Sequence, residues 1–460
     1  MFDHRALKSR RPLTLLGLAL GLAFGAASAA RAQSLQELYD AARGYDASYL
    51  AARALADSAQ YRAAQADALG RPSVGLGITG THQQIDPPAR FTTVNGQPVQ
   101  IAGDRVGATT VQAGLTARYA LYNRANKITI EQAQRSLGVA QADLETAEQD
   151  LIVRISQAYF DLLAAQDALA TTRASKAAIS EQLASAKRNF EVGTATITDT
   201  REAQARFDLA TAAEIGADND LRIKGVTLDQ LVGRVGVTPK PFALPVALPA
   251  VLPANIDPWV NQADELHPAV RRARLGLEVA QLETAKARAA EGLTIDLTGT
   301  VGSSNARGAG ALNGIGTNST GSVGVALNYP LYTGGATQNR IKETLALEEQ
   351  SRNTVEFARR SVAEGTRRAY LGVQSLTAQV KALEAAESSS KLALEATQLG
   401  YKVGVRVNLD VLNAQTQLFT TQRDLAKARY DVVLNSLKLR QAAGQLTPSD
   451  VAAATQLLAK

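Results

Sequence analysis

The 460-residue sequence predicts a mainly helical chain that is built twice, with a β-hairpin in each half. A ten-residue word at 190–199 (FEVGTATITD) returns at 401–410 (YKVGVRVNLD), and each copy precedes an Ala-Gln pair. A second word precedes each copy, LTARYALY at 115–122 and VALNYPLY at 325–332. Long stretches with apolar residues at seven-residue steps lie between these words. Repetition in a fixed order indicates an internal duplication.

The composition favours long, closely packed helices over a thick globular interior. Aromatic residues make up 5% of the chain and Trp occurs once. Cysteine is absent, which excludes disulfides and a lipid-bearing cysteine at a mature N-terminus. The formal charge is +6, but residues 1–32 hold five Lys/Arg and one Asp, so the remainder carries +2. No clustered basic face remains, so we expect no nucleic-acid partner.

Residues 1–32 predict a secretory signal peptide. Basic residues open the segment, an apolar run follows from Leu13 to Ala27, and Ala30-Arg31-Ala32 has the form of a cleavage site. The alternative is a short membrane anchor. The apolar run is shorter than the roughly 20 residues that a spanning helix needs, which favours the signal peptide.

The first structural repeat is predicted over 33–236. Apolar residues at three- and four-residue spacing predict a helix over 33–70, which Arg71-Pro72 ends. Alternating residues predict strands over 73–82 and 109–122 around a loop at 83–105. A long helix over 126–190 with heptad spacing follows, and after the Val192-Gly193 interruption a further helix extends to about Val232.

The second repeat is predicted over 259–460, after a stiff Pro-rich linker at 237–258. It has the same order: a helix over 256–291, strands over 293–302 and 321–332, a long helix over 337–399 and a last helix from Leu409. Four strands per chain cannot close a barrel, and open strand edges are untenable in a membrane. A membrane location therefore requires several chains to share one barrel, and three chains would supply twelve strands.

The chain resembles the TolC-type outer membrane efflux proteins over essentially its whole mature length. The resemblance rests on the strand ends Tyr119–Tyr122 and Tyr329–Gly335, on the breaks Val192-Gly193 and Val403-Gly404, and on the heptad helices between them. It implies a homotrimer in the outer membrane of a Gram-negative bacterium, with a shared 12-stranded β-barrel continued by an α-helical barrel across the periplasm. It implies a passive exit duct for efflux or type I secretion, opened at its periplasmic tip by an adaptor and by an ABC or proton-driven inner-membrane pump.

The resemblance also assigns roles to single residues. The breaks at Gly193 and Gly404 fall at the periplasmic tip, and Asp410 points into the pore, where three copies would form a carboxylate ring. Asn413 stands where the best-studied relatives have a second pore aspartate, so the resemblance implies a ring of three charges here rather than six. The network that holds the tip closed, as the resemblance implies it, comprises four residues: Thr198, Asp199, Tyr401 and Arg406.

The same residues have plainer interpretations. An Asp one turn after a helix break is often an N-cap or a solvated residue, an isolated Arg is often a surface side chain, and a Gly often ends a helix. His4, His82 and His267 lack ligand-spaced companions, so we expect no metal site. No convergent catalytic set emerges, so neither an enzyme nor a cofactor is expected.

Two other functional classes compete with the duct. A trimeric surface adhesin or anchor would place its strands at the C-terminus, whereas here they occur twice in mid-chain. A periplasmic coiled-coil scaffold without a channel gives no reason for strands with one apolar face. Within the duct class, a drug, a metal ion and a secreted protein such as a toxin all remain alternatives for the cargo.

Overall fold

The computed structural model of the chain describes residues 32–459, except 87, 102, 104, 244–247, 249–251, 310 and 312–313. The predicted signal peptide thus lies outside the described residues apart from Ala32, and so does part of the predicted Pro-rich linker. Helices and hairpins alternate in the described residues in the predicted order.

The first half begins with two helices where one was predicted. Ser34 caps α1 in a capping box with Glu37, the helix ends at Gly44, and Asp46 then caps the next helix by accepting a hydrogen bond from the Tyr49 N–H at 2.8 Å. The elements of this half are α1 (Leu35–Arg43), α2 (Ala47–Asp67), β1 (Ser73–Ile85), β2 (Arg90–Val94), β3 (Gln97–Ile101), β4 (Val106–Asn123), α3 (Arg124–Glu191) and α4 (Ile197–Val232).

The second half also opens with two helices instead of one. His267 lies between them and Pro268 is the first residue of the second, where the missing N–H has no partner to lose. The elements are α5 (Ile256–Leu266), α6 (Pro268–Ala289), β5 (Thr294–Arg307), β6 (Gly316–Asn328), α7 (Ala336–Lys402), α8 (Asn408–Ala442) and α9 (Pro448–Thr455).

The strands differ from the prediction in their length, in the loop at 83–105 and in the end of the last strand. All four extend about three to five residues farther toward their connecting loops than predicted. The predicted loop at 83–105 contains the β2–β3 hairpin, whose turn residues Asn95 and Gly96 have φ values of 53° and 80°. Positive φ at both positions is the backbone of a type I′ turn, which suits Asn-Gly. The last strand ends at Asn328 rather than 332, just before Pro330, which has no N–H to donate to a ladder.

The four long strands form one antiparallel sheet in the order β1-β4-β5-β6. The central pair, β4 with β5, joins the two halves of the chain and sets Leu115 opposite Val301. The duplicated hairpins therefore share a single sheet instead of forming two separate ones.

This sheet has one apolar and one polar face. Val74, Leu76 and Ile78 of β1 alternate onto one face and are 70%, 68% and 70% exposed. Val323, Val325 and Leu327 of β6 are exposed in the same alternating manner. On the polar face, Arg118 of β4 pairs with Asp296 of β5 at 2.8 Å. In a single chain the apolar face is thus uncovered, and β1 and β6 have free outer edges.

The long helices determine the other dimension of the molecule. α3 has 68 residues and α7 has 67, which at 1.5 Å per residue gives each a length of about 100 Å. α3 packs along α4, α7 packs along α8, and α8 also packs against α3. No described helix is long and apolar enough to cross a membrane.

The largest core lies around the middle of α3, far from the sheet. Phe242, at the start of the predicted linker, stacks on Tyr430 of α8 at 4.7 Å between ring centroids and lies 5.8 Å from Phe160 of α3. The Tyr159 hydroxyl accepts from the Lys240 N–H at 2.9 Å. The linker's first residues are thereby fixed to the helices of both halves.

Candidate functional site

The candidate site consists of the two helix breaks, the first break at 190–199 and the second break at 401–410. Their backbones are built alike. Gly193 and Gly404 have φ values of 76° and 83°, in the left-handed region that glycine adopts without strain. In each break two successive N–H groups bond back to one carbonyl of the preceding helix, Asn189 in the first and Gly400 in the second. The long helix ends and the next one begins within five residues.

The first break is closed by a capping box. The Thr196 hydroxyl oxygen accepts from the Asp199 N–H at 3.2 Å, and the Asp199 carboxylate accepts from the Thr196 N–H at 2.9 Å and from its hydroxyl at 2.7 Å. Asp199 is thereby engaged by its own helix start. Thr198 is exposed.

The second break has no side-chain cap. Val407 occupies the position of Thr196 and has no oxygen to offer the helix N-terminus, so the cap hydrogen bonds of the first break are absent at the described start of α8. The Asp410 carboxylate instead lies 3.6 Å from a guanidinium nitrogen of Arg406. Asp410 is therefore held by a side chain rather than by the backbone, in an ion pair whose members are both partly exposed.

Arg406 is folded back over the end of α7. A Cβ added to Gly400 would lie 2.8 Å from Cγ of Arg406 and 3.5 Å from its Cβ. The absence of a side chain at Gly400 thus leaves room for the aliphatic part of Arg406 to lie over the end of α7.

Contacts between the halves tie the two breaks together. The Tyr401 hydroxyl accepts from the Asn189 side-chain amide at 3.2 Å. The Gln182 amide donates to Oδ1 of Asn408, while Nδ2 of Asn408 is buried without a partner among the described residues. A buried apolar cluster lies beneath these polar contacts: Ile179, Leu183, Ala186, Ala203 and Leu412.

Asn413 forms a hydrogen bond with a charged side chain. Arg206 of α4 donates from its guanidinium to Oδ1 of Asn413 at 2.9 Å. Arg206 also lines a cleft between α3, α4 and α8, together with Thr416, Phe419 and Arg423. Arg423 is itself bound to Asp424, at 2.8 Å.

The structure brings together some of the sequence-predicted site residues and not others. Asp410 pairs with Arg406, and Tyr401 lies at the junction of the two breaks. Within one chain, the described contacts of Asp199 are those of the capping box and do not reach Tyr401 or Arg406.

Four residues of the site were not anticipated from the sequence: Gln182, Asn189, Arg206 and Asn408. Each makes its contact with a residue more than 200 positions away. Of these four residues, only Asn408 differs in a way that the sequence shows: it is polar at the position of the repeated segment where the first copy has the apolar Ile197.

The chemistry of the site is that of a charged, hydrogen-bonded junction. Among the described residues no group of three or more His, Cys, Asp or Glu side chains is placed to hold a metal ion. The partners at the junction are guanidinium, carboxylate, amide and phenol groups at the ends of long helices, an arrangement that can hold helices together and release them.

The comparisons with known proteins agree with this architecture. Residues 38–234 and 259–445 match the model of a family described as outer membrane efflux protein. Outer membrane protein TolC of Vibrio cholerae is 30% identical over 444 residues, which cover 95% of this chain and 97% of that protein. The alkaline protease secretion protein AprF of Pseudomonas aeruginosa is 32% identical over 321 residues, covering 68% of this chain and 66% of AprF.

Solved structures have the same fold. The crystal structure of the outer membrane protein VceC from Vibrio cholerae superposes with a TM-score of 0.74 at 21% identity, over 89% of this chain and 96% of that one. The crystal structure of CusC gives 0.75 at 18% identity, over 90% and 92% of the two chains.

Proposed function

The chain belongs to the outer membrane efflux protein family, and from this premise we propose that its paired helix breaks form the gated entrance of an exit duct through the outer membrane. The duct would be passive, with no chemistry of its own. Its relatives and structural neighbours are outer membrane proteins and channels, which supports an outer membrane location.

The single observation that supports the duct most strongly is the four-stranded sheet. Its apolar face is exposed and its two edge strands are unpaired in one chain, whereas an uncovered face and free edges are stable in lipid only when neighbours continue the sheet. Three copies would close twelve strands with the apolar face toward lipid and the polar face, with Arg118 and Asp296, toward the lumen. The helices of about 100 Å would extend the duct into the periplasm.

The entrance lies in this proposal at the opposite end from the sheet, at the two breaks. Asp410 and Asn413 would line the constriction, and Tyr401 and Arg406 would hold the second helix pair in the closed position. Thr198 is exposed and therefore free to meet a neighbouring chain, whereas Asp199 would contribute through an oxygen that its capping box leaves available.

An adaptor and an energised inner-membrane transporter are the partners that this role requires, because a duct without chemistry needs an external source of work. The names of relatives include both secretion proteins, AprF and the proteases secretion protein PrtF of Dickeya chrysanthemi, and efflux proteins, such as BepC of Brucella suis. Both cargo classes, secreted protein and small molecule, are thus compatible with this fold.

The test is the single-channel conductance of the purified protein in a planar bilayer. We expect a small conductance in the wild type and a larger one, with altered ion selectivity, in Asp410→Ala, because this change removes a carboxylate from the narrowest point. Asp220→Ala, which removes the same charge from an exposed position of α4 far from the two breaks, is the matched control and should leave conductance and selectivity unchanged.

Two results would contradict the proposal in different ways. Equal conductance and selectivity in wild type and Asp410→Ala would reject the constriction at 410 and keep the duct. A folded, membrane-inserted protein without any conductance would reject the duct and favour an anchor or a scaffold.

A further inference from the structure

The predicted constriction at Asp410 and Asn413 has a positively charged side chain beside it as well as a carboxylate. Asn413 follows Asp410 by three residues on α8, so the two side chains lie on adjacent turns of the same helix side. The guanidinium that binds Asn413 at 2.9 Å is therefore within about one helical turn, roughly 5 Å, of the level of Asp410.

Arg206 carries a charge that no described carboxylate neutralises. Its partner Asn413 is a neutral amide. Glu202, one turn earlier on α4, forms no ion pair with it among the ion pairs of the described residues. The Asp410 carboxylate has a different partner, Arg406 at 3.6 Å, in a partly exposed ion pair that weakens its attraction for cations without cancelling it.

The surrounding part of α8 adds no further charge. From 411 to 422 the sequence VLNAQTQLFTTQ contains no ionisable side chain. The next two charges, Arg423 and Asp424, bind each other at 2.8 Å. The ionisable groups of α8 near this level are therefore paired, and Arg206 of α4 meets this stretch of α8 without a carboxylate partner among the described residues. Its own helix also carries the carboxylates of Asp199 and Glu202 in this region.

We propose that Arg206 is a selectivity-determining residue of the entrance, where its charge, presented through Asn413, opposes the attraction of Asp410 for cations. This proposal rests on the proposed duct. In a symmetric assembly, each copy adds one guanidinium to a narrow throat, and rings of Arg side chains favour anions over cations. The entrance would accordingly admit anionic cargo and counter-ions more readily than a carboxylate ring alone.

The competing role for Arg206 is purely structural, a clamp that ties α4 to α8. The two roles separate because the clamp needs the guanidinium geometry, whereas selectivity needs only the positive charge. Lysine keeps the charge but lacks the planar fork of donors.

The experiment measures the reversal potential of the purified full-length protein in planar bilayers under a KCl gradient, which gives the ratio of K⁺ to Cl⁻ permeability. The variants are Arg206→Gln, Arg206→Lys and Asn413→Asp. The matched control is Arg201→Gln: it is an exposed arginine of the same helix, and five residues at 3.6 per turn place it about 140° away from Arg206.

We expect Arg206→Gln to raise the K⁺/Cl⁻ ratio by about 25-fold. A unit charge acting across about 4 Å of water changes the Boltzmann weight of K⁺ and of Cl⁻ by about fivefold each, in opposite directions. Asn413→Asp should raise it similarly, because the new carboxylate neutralises Arg206 in place. Arg206→Lys and Arg201→Gln should leave the ratio at its wild-type value.

Three results would overturn the proposal. Wild-type ratios in both Arg206→Gln and Asn413→Asp would show that the charge does not act on the permeant ions. An equal shift in Arg206→Lys and Arg206→Gln would assign Arg206 to the clamp. Should Arg206→Gln not assemble, Asn413→Asp supports the same test. Absence of conductance in the wild type itself would reject the duct, and that result differs from every outcome that concerns Arg206 alone.

Discussion

The first and second breaks have nearly the same backbone and opposite surroundings. Ile197, which opens α4, is 48% exposed, whereas Asn408 at the equivalent position of α8 is 2% exposed. Likewise Leu412 of α8 is fully buried at 0%, and its counterpart on α4 is the exposed Arg201. An apolar residue outside and an amide inside is the reverse of what polarity alone predicts.

The difference arises from what each helix packs against. α8 lies against both α7 and α3, so its first turns are enclosed by both halves, whereas α4 packs chiefly on α3. The two breaks therefore share a backbone conformation because of the duplication, but their burial differs because different helices pack against them. The enclosed break is the one with a buried, incompletely bonded amide and without a cap, and it is therefore the better candidate for the moving part.

The difference in burial between the two breaks is tested most severely by truncating the buried leucine. Leu412→Ala should destabilise the start of α8 by about 2–5 kcal/mol, because it leaves a cavity among Ile179, Leu183 and Ala203. The matched change Arg201→Ala should stay within about 0.5 kcal/mol, as exposed substitutions do. Hydrogen exchange at 408–416 and 197–205 measures both opening free energies. Equal losses would mean that the breaks are enclosed alike.

Removing the amide pair of Gln182 and the buried Asn408 should have the second-largest effect. The double variant Gln182→Leu with Asn408→Leu should stabilise the second break by about 1–3 kcal/mol, since it removes Nδ2 of Asn408, a buried donor without a partner among the described residues. Channel opening frequency in a bilayer should fall accordingly. The converse change Ile197→Asn at the exposed position should be nearly neutral. A large loss from Ile197→Asn would show that a neighbouring chain covers it.

Exchanging the caps should have a smaller effect. Thr196→Val should weaken the start of α4 by about 1 kcal/mol, and Val407→Thr should strengthen the start of α8 by a similar amount. In the second variant Asp410 can close a capping box as Asp199 does, which draws it away from Arg406. Amide exchange at 197–200 and 408–411 checks the two signs. Changes of the same sign would mean that the cap does not distinguish the breaks.

The smallest predicted effect is a pH dependence at the starts of α2 and α6, which have equivalent places in the two halves. Asp46 caps α2 and His267 caps α6, where Nδ1 accepts from the Ala269 N–H at 3.1 Å. The hydrogen bonds from Arg154 lower the pKa of Asp46, and burial lowers the pKa of His267 against the opposing fields of Glu145 and Asp150.

Both groups bind fewer protons in the folded than in the unfolded chain, so both lose stability as the pH falls, but in different ranges. The loss at His267 begins below about 6.5, and the loss at Asp46 only below about 3.9. At pH 5 to 6, therefore, only the start of α6 should open more readily, as amide exchange corrected for intrinsic rates would show. His267→Asn, which keeps a cap without a titrating group, should abolish that change. Opening of α2 in the same range would contradict the assignment.

Most of the secondary structure could be predicted from the sequence, because it depends on interactions between residues that are close along the chain. The strand alternation at 73–82, the heptads of the long helices and the glycines at 193 and 404 each act over a few residues, and the structure has the corresponding elements. Where the prediction is wrong, a short local signal overrides the longer pattern: Asn95-Gly96 forms a hairpin inside a predicted loop, and Asp46 and His267 each start a new helix.

The candidate site could be predicted only in part, because many of its contacts are not local. The repeated word and the family resemblance pointed to Asp410, Asn413, Tyr401 and Arg406, but not to Asn189 or Arg206, the partners of Tyr401 and Asn413. These partners lie over 200 residues away and carry no local mark of their contact.

By itself, the sequence determined that the chain is duplicated, where its helices break and which strand face is apolar, because these follow from periodicity and from short-range backbone preferences. Tertiary structure alone decided that β4 pairs with β5, that Asn408 is buried while Ile197 is exposed, and that Arg206 reaches Asn413. Such contacts depend on how two long helix pairs lie against each other, and that packing is a property of the whole chain rather than of any segment within it.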